Sequence, residues 1–170
     1  MTVAKPPTLV SERLNSERIA AEIAAEPPDL QRWMCFSIAG ESYAVNILQL
    51  REVLPDSRPV PVPGAPPEVL GVLNLRGEII TLLDLRRWLG LPAGAADGPV
   101  LVLELAGLSL GLRVDAVGVL LKRLPVELLA APAVANPRLR SLVSGATALG
   151  DGQLTLLDFV ALLPPTAQAA

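Results

Sequence analysis

The run Val69-Leu-Gly-Val-Leu-Asn-Leu-Arg-Gly-Glu-Ile-Ile-Thr-Leu-Leu-Asp-Leu85 constrains this chain more than any other stretch. Val72 to Leu75 and Ile79 to Leu83 carry the branched, apolar residues that fit a pleated, half-buried surface. Gly77 lies between them, where a reversal uses the freedom of glycine to adopt positive φ. The stretch therefore reads as strand, tight turn, strand. Alternation along the first strand puts Val72 on one side with Asn74 and Arg76, and Leu73 on the other with Leu75. The second strand is mostly apolar on both faces and is expected to be buried on both. An Asn and an Arg beside a Gly corner, with no catalytic partner in the motif, suit a docking surface better than a reaction centre.

The same plan occurs twice. Phe36-Ser-Ile-Ala-Gly-Glu-Ser-Tyr-Ala-Val45 reads as a hairpin, with Met34, Phe36 and Ile38 alternating against Cys35 and Ser37. Leu103-Glu-Leu-Ala-Gly-Leu-Ser-Leu-Gly-Leu112 echoes it. After the first hairpin Ile47, Leu50 and Val53 recur every three residues, a helical turn running into a strand, with Leu48 and Leu54 off that row. Val117 to Leu121 falls where Leu50 to Leu54 did, and Gly152 to Phe159 echoes Gly77 to Leu85. Repeated strand units with short turns predict a mainly β fold of two small barrels packed together, with short helical turns and a C-terminal helix.

Punctuation divides the chain. Pro59, Pro61, Pro63, Pro66 and Pro67 remove backbone donors and make their stretch an extended crossing connection. The composition also suits a polyproline ligand, but a core-like strand follows at once and needs the connection. The small-residue loop from Pro92 to Gly98 separates a first half, about 31–92, from a second, about 98–163, within a domain of residues 31–165. Residues 1–30 read as an arm, flexible or weakly helical, with Ile19 and Ile23 on one face; residues 166–170 read as a tail.

Composition excludes several functions. The sequence has no histidine, which removes the commonest general base and metal ligand, and a single cysteine, Cys35, read as a small buried hydrophobe. No phosphate-cradling or dinucleotide glycine motif is present, so no catalytic, cofactor or metal residues are assigned. Asp84, Asp115 and Asp158 each end an apolar strand and read as caps. A net charge of -3 and 3% aromatic residues leave neither the basic stripe nor the stacking platforms of a nucleic-acid binder. The start of the chain lacks the apolar core of a signal peptide, and Glu104, Arg113 and Asp115 interrupt the most apolar region, so a soluble, cytoplasmic protein is expected.

The run from Gly71 to Arg86 is similar to the central signature of the CheW-like adaptor family of bacterial chemotaxis. Phe36 to Val45, Asn46 to Val53, and Gly145 to Asp158 resemble the family's opening hairpin, the turn and strand after it, and its closing hairpin. The resemblance covers about Trp33 to Leu163 and implies two five-stranded barrels sharing an interior. It implies a non-catalytic adaptor coupling chemoreceptors to a CheA-type histidine kinase. The implied partners are the kinase regulatory domain, the helical hairpin tip of a methyl-accepting chemoreceptor, and other CheW-like proteins in array rings. Residue by residue, Asn74, Leu75, Arg76 and Gly77 match the central motif, and Ile47, Leu48, Leu50, Glu52 and Val53 match the region associated with receptor docking.

Two alternatives stay beside these assignments at the residue level. Arg76 either faces a partner or bridges internally to Glu78, and Ile47, Leu50 and Val53 share a row that suits core packing, which leaves Leu48 and Glu52 as the better surface residues. At the level of function, the alternatives are an adaptor of a sister pathway, such as twitching motility or surface sensing, and a small barrel that binds a ligand or oligonucleotide.

Overall fold

The computed structural model describes residues 9–168, with side chains placed from 17 to 166. The Pro6-Pro7 pair and the end of the tail lie outside them. The chain divides into two compact units, one ending at Leu30 and the other beginning at Gln31. The first holds helix α1 (Leu9–Ala24), 16 residues long and therefore longer than the weak periodicity suggests. Its Ala, Glu and Arg content favours helix, and the exposed i,i+4 pair Arg18–Glu22 adds little.

The second unit opens with strands β1 (Gln31–Ile38) and β2 (Glu41–Asn46), a 3-10 turn (Ile47–Gln49) and β3 (Leu50–Leu54). After the proline-rich crossing come β4 (Val69–Leu75), β5 (Glu78–Asp84) and the short helix α2 (Leu85–Trp88). Then follow β6 (Val100–Leu105), β7 (Leu108–Arg113), β8 (Ala116–Arg123), a 3-10 turn (Pro125–Glu127) and the two-residue β9 (Leu128–Leu129). Helix α3 (Pro137–Leu142), β10 (Val143–Leu149), β11 (Gly152–Leu157), a 3-10 turn (Phe159–Leu162) and α4 (Pro165–Gln168) complete it.

The strands form two sheets, ordered β8-β1-β2-β11-β10-β9 and β3-β6-β7-β5-β4. The repeat seen in the sequence maps one order onto the other: β3 on β8, β6 on β1, β7 on β2, β5 on β11 and β4 on β10. Each barrel-like unit therefore takes its central hairpin from the other half of the chain. In both, the borrowed hairpin joins by a parallel pairing, β5 with β7 and β11 with β2.

This exchange decides which strands are buried on both faces. One cluster fills the space shared by the two sheets, joining Phe36, Ile38 and Val45 to Leu101, Leu103, Leu105, Leu112 and Phe159. A second, with Trp33, Cys35, Ala44, Leu154 and Leu156, lies inside one unit; a third, with Leu73, Ile80, Leu82, Val100 and Val102, lies inside the other. Strand β6 alternates between two cores, and Val100 to Leu103 are fully buried. Strand β5, expected to be buried on both faces, is so only away from its turn: Leu83 packs against the shared cluster, while Ile79, on the same face beside the β4–β5 turn, is 62% exposed.

Three hairpins turn on a pair of residues with positive φ: Ala39-Gly40, Arg76-Gly77 and Ala106-Gly107. That pattern marks the primed turn whose twist matches the flanking strands. Asp84 accepts from the backbone N–H groups of Arg86 and Arg87, and Asp158 from that of Val160, so both cap the turns that follow equivalent strands. Asp115 caps nothing. It accepts from Arg86 Nε (2.7 Å), Arg86 Nη2 (2.6 Å) and the Ala39 N–H (2.7 Å), tying α2 to the β1–β2 turn.

The crossing segments are received at glycine bulges. Val60 exchanges both backbone hydrogen bonds with Val72 at 2.9 Å. A Cβ on Gly71, whose φ is +142, would stand 2.2 Å from the Val60 oxygen. In the other unit Gly145 sits at the matching bulge, where a Cβ would lie 3.0 Å from the Leu129 oxygen.

Gly71→Ala is expected to destabilise the fold by about 2 to 4 kcal/mol, from backbone strain and the clash with the crossing segment. Gly77→Ala, whose Cβ meets nothing within 4 Å, should cost about 1 kcal/mol from strain alone. Urea denaturation of the two variants checks the order. A second expectation concerns acid. The hydrogen bond from Arg86, above all, holds the Asp115 carboxyl below its ordinary value, and the Ala39 N–H adds to this against desolvation. The stability from this depressed value is present above the ordinary Asp range near pH 4 and is lost as pH falls through the folded value. The stability difference between the unaltered chain and Arg86→Met should therefore be largest near neutral pH and narrow below about pH 4. Chemical denaturation at several pH values checks it.

Candidate partner-docking surface

The Arg76 corner is built by its neighbours. Asn74 Oδ1 accepts from the Gly77 N–H at 2.9 Å, bracing the β4–β5 turn from inside. Arg76 itself has φ +52, a left-handed conformation that an arginine adopts only under the constraint of the turn. Leu75 is half-buried and Gly77 exposed. The Arg76 side chain is 74% exposed, and its Nη2 lies 3.2 Å from Glu52 Oε2.

The internal bridge considered from the sequence thus exists with a different partner. Glu78 is taken by Arg51, which also donates to Ser109 Oγ at 3.1 Å, and the Arg51 hydrogen bond holds the Glu78 carboxyl below its ordinary value. Glu52 is correspondingly not a free surface acid: its side chain is 20% exposed, with Oε1 buried and without a partner. Arg51 and Glu52 stand on β3, at one end of the sheet order, and their partners on the β4–β5 hairpin at the other. The two ion pairs join the ends of an otherwise open sheet. In the other unit Arg123 of β8 does the same, donating to Thr147 Oγ1 and the Ala148 oxygen of β10.

The segment from 47 to 53 divides between core and surface. Leu50 and Val53 pack against the shared cluster, and Ile47 is half-buried. Leu48 is 88% exposed, on a 3-10 turn that Asn46 caps by accepting the Leu48 backbone N–H at Oδ1 (2.9 Å).

Sequence reasoning missed two residues of this surface. Ile79 and Leu108 are exposed, each two positions before the Thr81–Leu110 pair of the parallel strands β5 and β7. They lay a small apolar patch beside the charged corner. A hydrophobic residue directly after a hairpin turn was the only signal, and it also fits a core position. Among the described residues no group of three or more His, Cys, Asp or Glu side chains converges as a metal site would. The geometry presents charge and apolar surface on a braced frame, which is what a binding face needs.

Comparison with known proteins gives the family. The family model of the CheW-like domain matches residues 32–165. The chemotaxis protein CheW of Rhizobium meliloti (strain 1021) is 29% identical over 133 residues, covering 77% of this chain and 86% of that protein. Protein PilI of Pseudomonas aeruginosa is 33% identical over 104 residues, covering 59% of this chain and 58% of its own. Among solved structures, the scaffolding protein TtCheW from Thermoanaerobacter tengcongensis superposes with a TM-score of 0.68 at 26% identity. That match covers 76% of this chain and 91% of the other.

The pairing of Arg76 can be checked directly. A double-mutant cycle on Arg76→Ala and Glu52→Gln should give a coupling of up to about 1 kcal/mol in urea denaturation. The corresponding cycle with Glu78→Gln should give none; coupling to Glu78 instead would contradict the geometry.

Proposed function

This chain belongs to the CheW-like domain family, and on that premise we propose that it couples chemoreceptors to a CheA-type histidine kinase. It is a chemotaxis scaffold, and its work is to hold partners together rather than to transform a substrate. The observation that carries the reading is the Arg76 corner: a strained, braced turn that holds a guanidinium out to solvent beside an apolar patch. A guanidinium fork suits directional pairing with a carboxylate or with the free carbonyls at a helix end. Retaining Glu52 as a half-buried counter-ion orients the fork without covering it.

In this reading the Arg76 corner, with Asn74, Leu75 and Gly77, and the exposed Leu48 form two partner-facing patches on one unit, with Ile47, Glu52 and Val53 supporting them from beneath. One takes the kinase regulatory domain and the other the helical tip of a receptor. Binding at each patch shifts populations of kinase states through the geometry it imposes. No helix among the described residues is long and apolar enough to cross a membrane, which fits a protein brought to a receptor array by its partners in the cytoplasm. The likeness to PilI supports a second reading, an adaptor of a sister chemosensory pathway.

Co-purification from cells tests both. A histidine kinase and a receptor signalling domain should accompany the tagged chain, and the identity of the receptor separates the two pathways. Arg76→Ala should still fold cooperatively, with its melting temperature lowered by a few degrees at most, and lose at least one partner. Retention of both at normal yield would remove the corner from the mechanism.

A further inference from the structure

At the C-terminal ends of the parallel strands β5 and β7 the surface opens into a cavity of about 240 Å³. Five of the residues lining it are charged: Asp84, Arg86, Asp97, Arg113 and Asp115. It shares no residue with the Arg76 corner or the Leu48 turn.

Most of these charges already have partners. Arg86 and Asp115 hold each other through two hydrogen bonds. Asp84 stands opposite Arg113 in the β5–β7 register, yet its carboxylate accepts from the backbone N–H groups of Arg86 and Arg87 and lies 3.5 Å from Arg87 Nε. Arg113 and Asp97 remain, and among the described residues neither forms an ion pair with the other or with any third group. Arg113 is half-buried; its Nη2 donates to the Ser57 oxygen at 2.7 Å, and its Nε is buried without a partner. A cation drawn out of water without a counter-ion is unfavourable, and an incoming carboxylate offsets that cost. Asp97 is exposed on the loop 92–98. Two glycines let that loop lie close: a Cβ on Gly94 would stand 2.7 Å from Arg86 Nε, and one on Gly98 2.7 Å from the Val114 oxygen.

We propose that this cavity binds a small α-amino acid, with its carboxylate on the Arg113 guanidinium and its ammonium on Asp97. A simple anion satisfies Arg113 but is repelled by Asp97, and a simple cation meets the reverse. A zwitterion answers both and leaves the charge balance of the site unchanged, through charge-assisted hydrogen bonds at each end. Size narrows the choice. At about 30 Å³ for each water-sized group, the cavity takes about eight non-hydrogen atoms, the size of alanine, serine or threonine. Bound there, the ligand ties the loop between the two halves to strand β7 and stabilises the folded chain by mass action. The site adds a small-molecule ligand to a chain whose other surfaces suit proteins.

The test titrates alanine, serine and threonine into the full chain by calorimetry and records melting curves at rising ligand concentration. At least one of the three should bind and raise the melting temperature. Acetate, which offers the carboxylate alone, and methylamine, which offers the ammonium alone, should each bind about tenfold more weakly or worse. Arg113→Gln should weaken amino-acid binding about tenfold or more, and Asp97→Asn about threefold to tenfold. Asp97 is exposed and unpaired, so Asp97→Asn should fold normally and decides the matter should Arg113→Gln fail to. The proposal is overturned if none of the three amino acids binds, if acetate or inorganic phosphate binds as tightly as they do, or if binding survives both substitutions. None of these results alters the capture of a kinase or a receptor, so failure of the site and failure of the adaptor reading are told apart.

Discussion

The exchange of hairpins between the two halves is the constraint on which the rest of the structure depends. Neither half holds a complete unit: β1 and β2 complete the sheet of β8, β10 and β11, while β6 and β7 complete that of β3, β4 and β5. A strand donated in this way must be apolar on both faces, one for the unit it joins and one for the core between the units. Strand β6 meets that demand with Val100 and Val102 on one side and Leu101, Leu103 and Leu105 on the other. Burying aliphatic surface at about 25 cal/mol per Å² makes such a strand a large contributor to stability. It also welds the halves into one cooperative body, since separating them would strip both cores at once.

Small barrels of this kind leave the ends of their sheets unjoined by a continuous ladder, and side chains complete what the backbone does not. In one unit the pairs Arg76–Glu52 and Arg51–Glu78 span the gap, and the proline-flanked Val60 adds a single bridge to Val72. The closing charges stand where the two ends of the sheet meet, so the groups that finish the fold also lie at the surface, with Arg76 the most exposed of them. Exposed ion pairs contribute little to stability individually, which leaves them free to re-pair across an interface at small cost. The left-handed backbone at Arg76 fixes where its side chain leaves the turn, and the 3.2 Å contact with Glu52 orients the guanidinium.

The hairpins, their turns, the caps at Asp84 and Asp158 and the twofold repetition of the plan were legible in the sequence, because each is set by residues a few positions apart. Alternation, a glycine where φ must be positive, and an aspartate before a helical turn are local rules, and residues 33–163 obey them. What local rules cannot carry is which strand lies beside which. Ile79 reads as core because β5 is apolar throughout, yet it stands exposed beside the β4–β5 turn. Glu78, near in sequence, is the internal partner the sequence offers as an alternative for Arg76, yet strand β3 delivers Glu52 to that place and Arg51 to Glu78. Asp115 reads as a cap, yet Arg86 reaches it from helix α2.

By itself, then, the order of residues determined two copies of a hairpin-rich plan, an aliphatic interior and an Arg-bearing glycine corner, since these depend on short-range sterics and periodicity. Only the tertiary structure decided the exchange of hairpins, the ion pairs that close the sheet, and the cavities beside Leu48 and Arg113. Those depend on charges and surfaces from distant segments being brought within a few ångströms, and nothing in the spacing of residues along a chain encodes that approach directly.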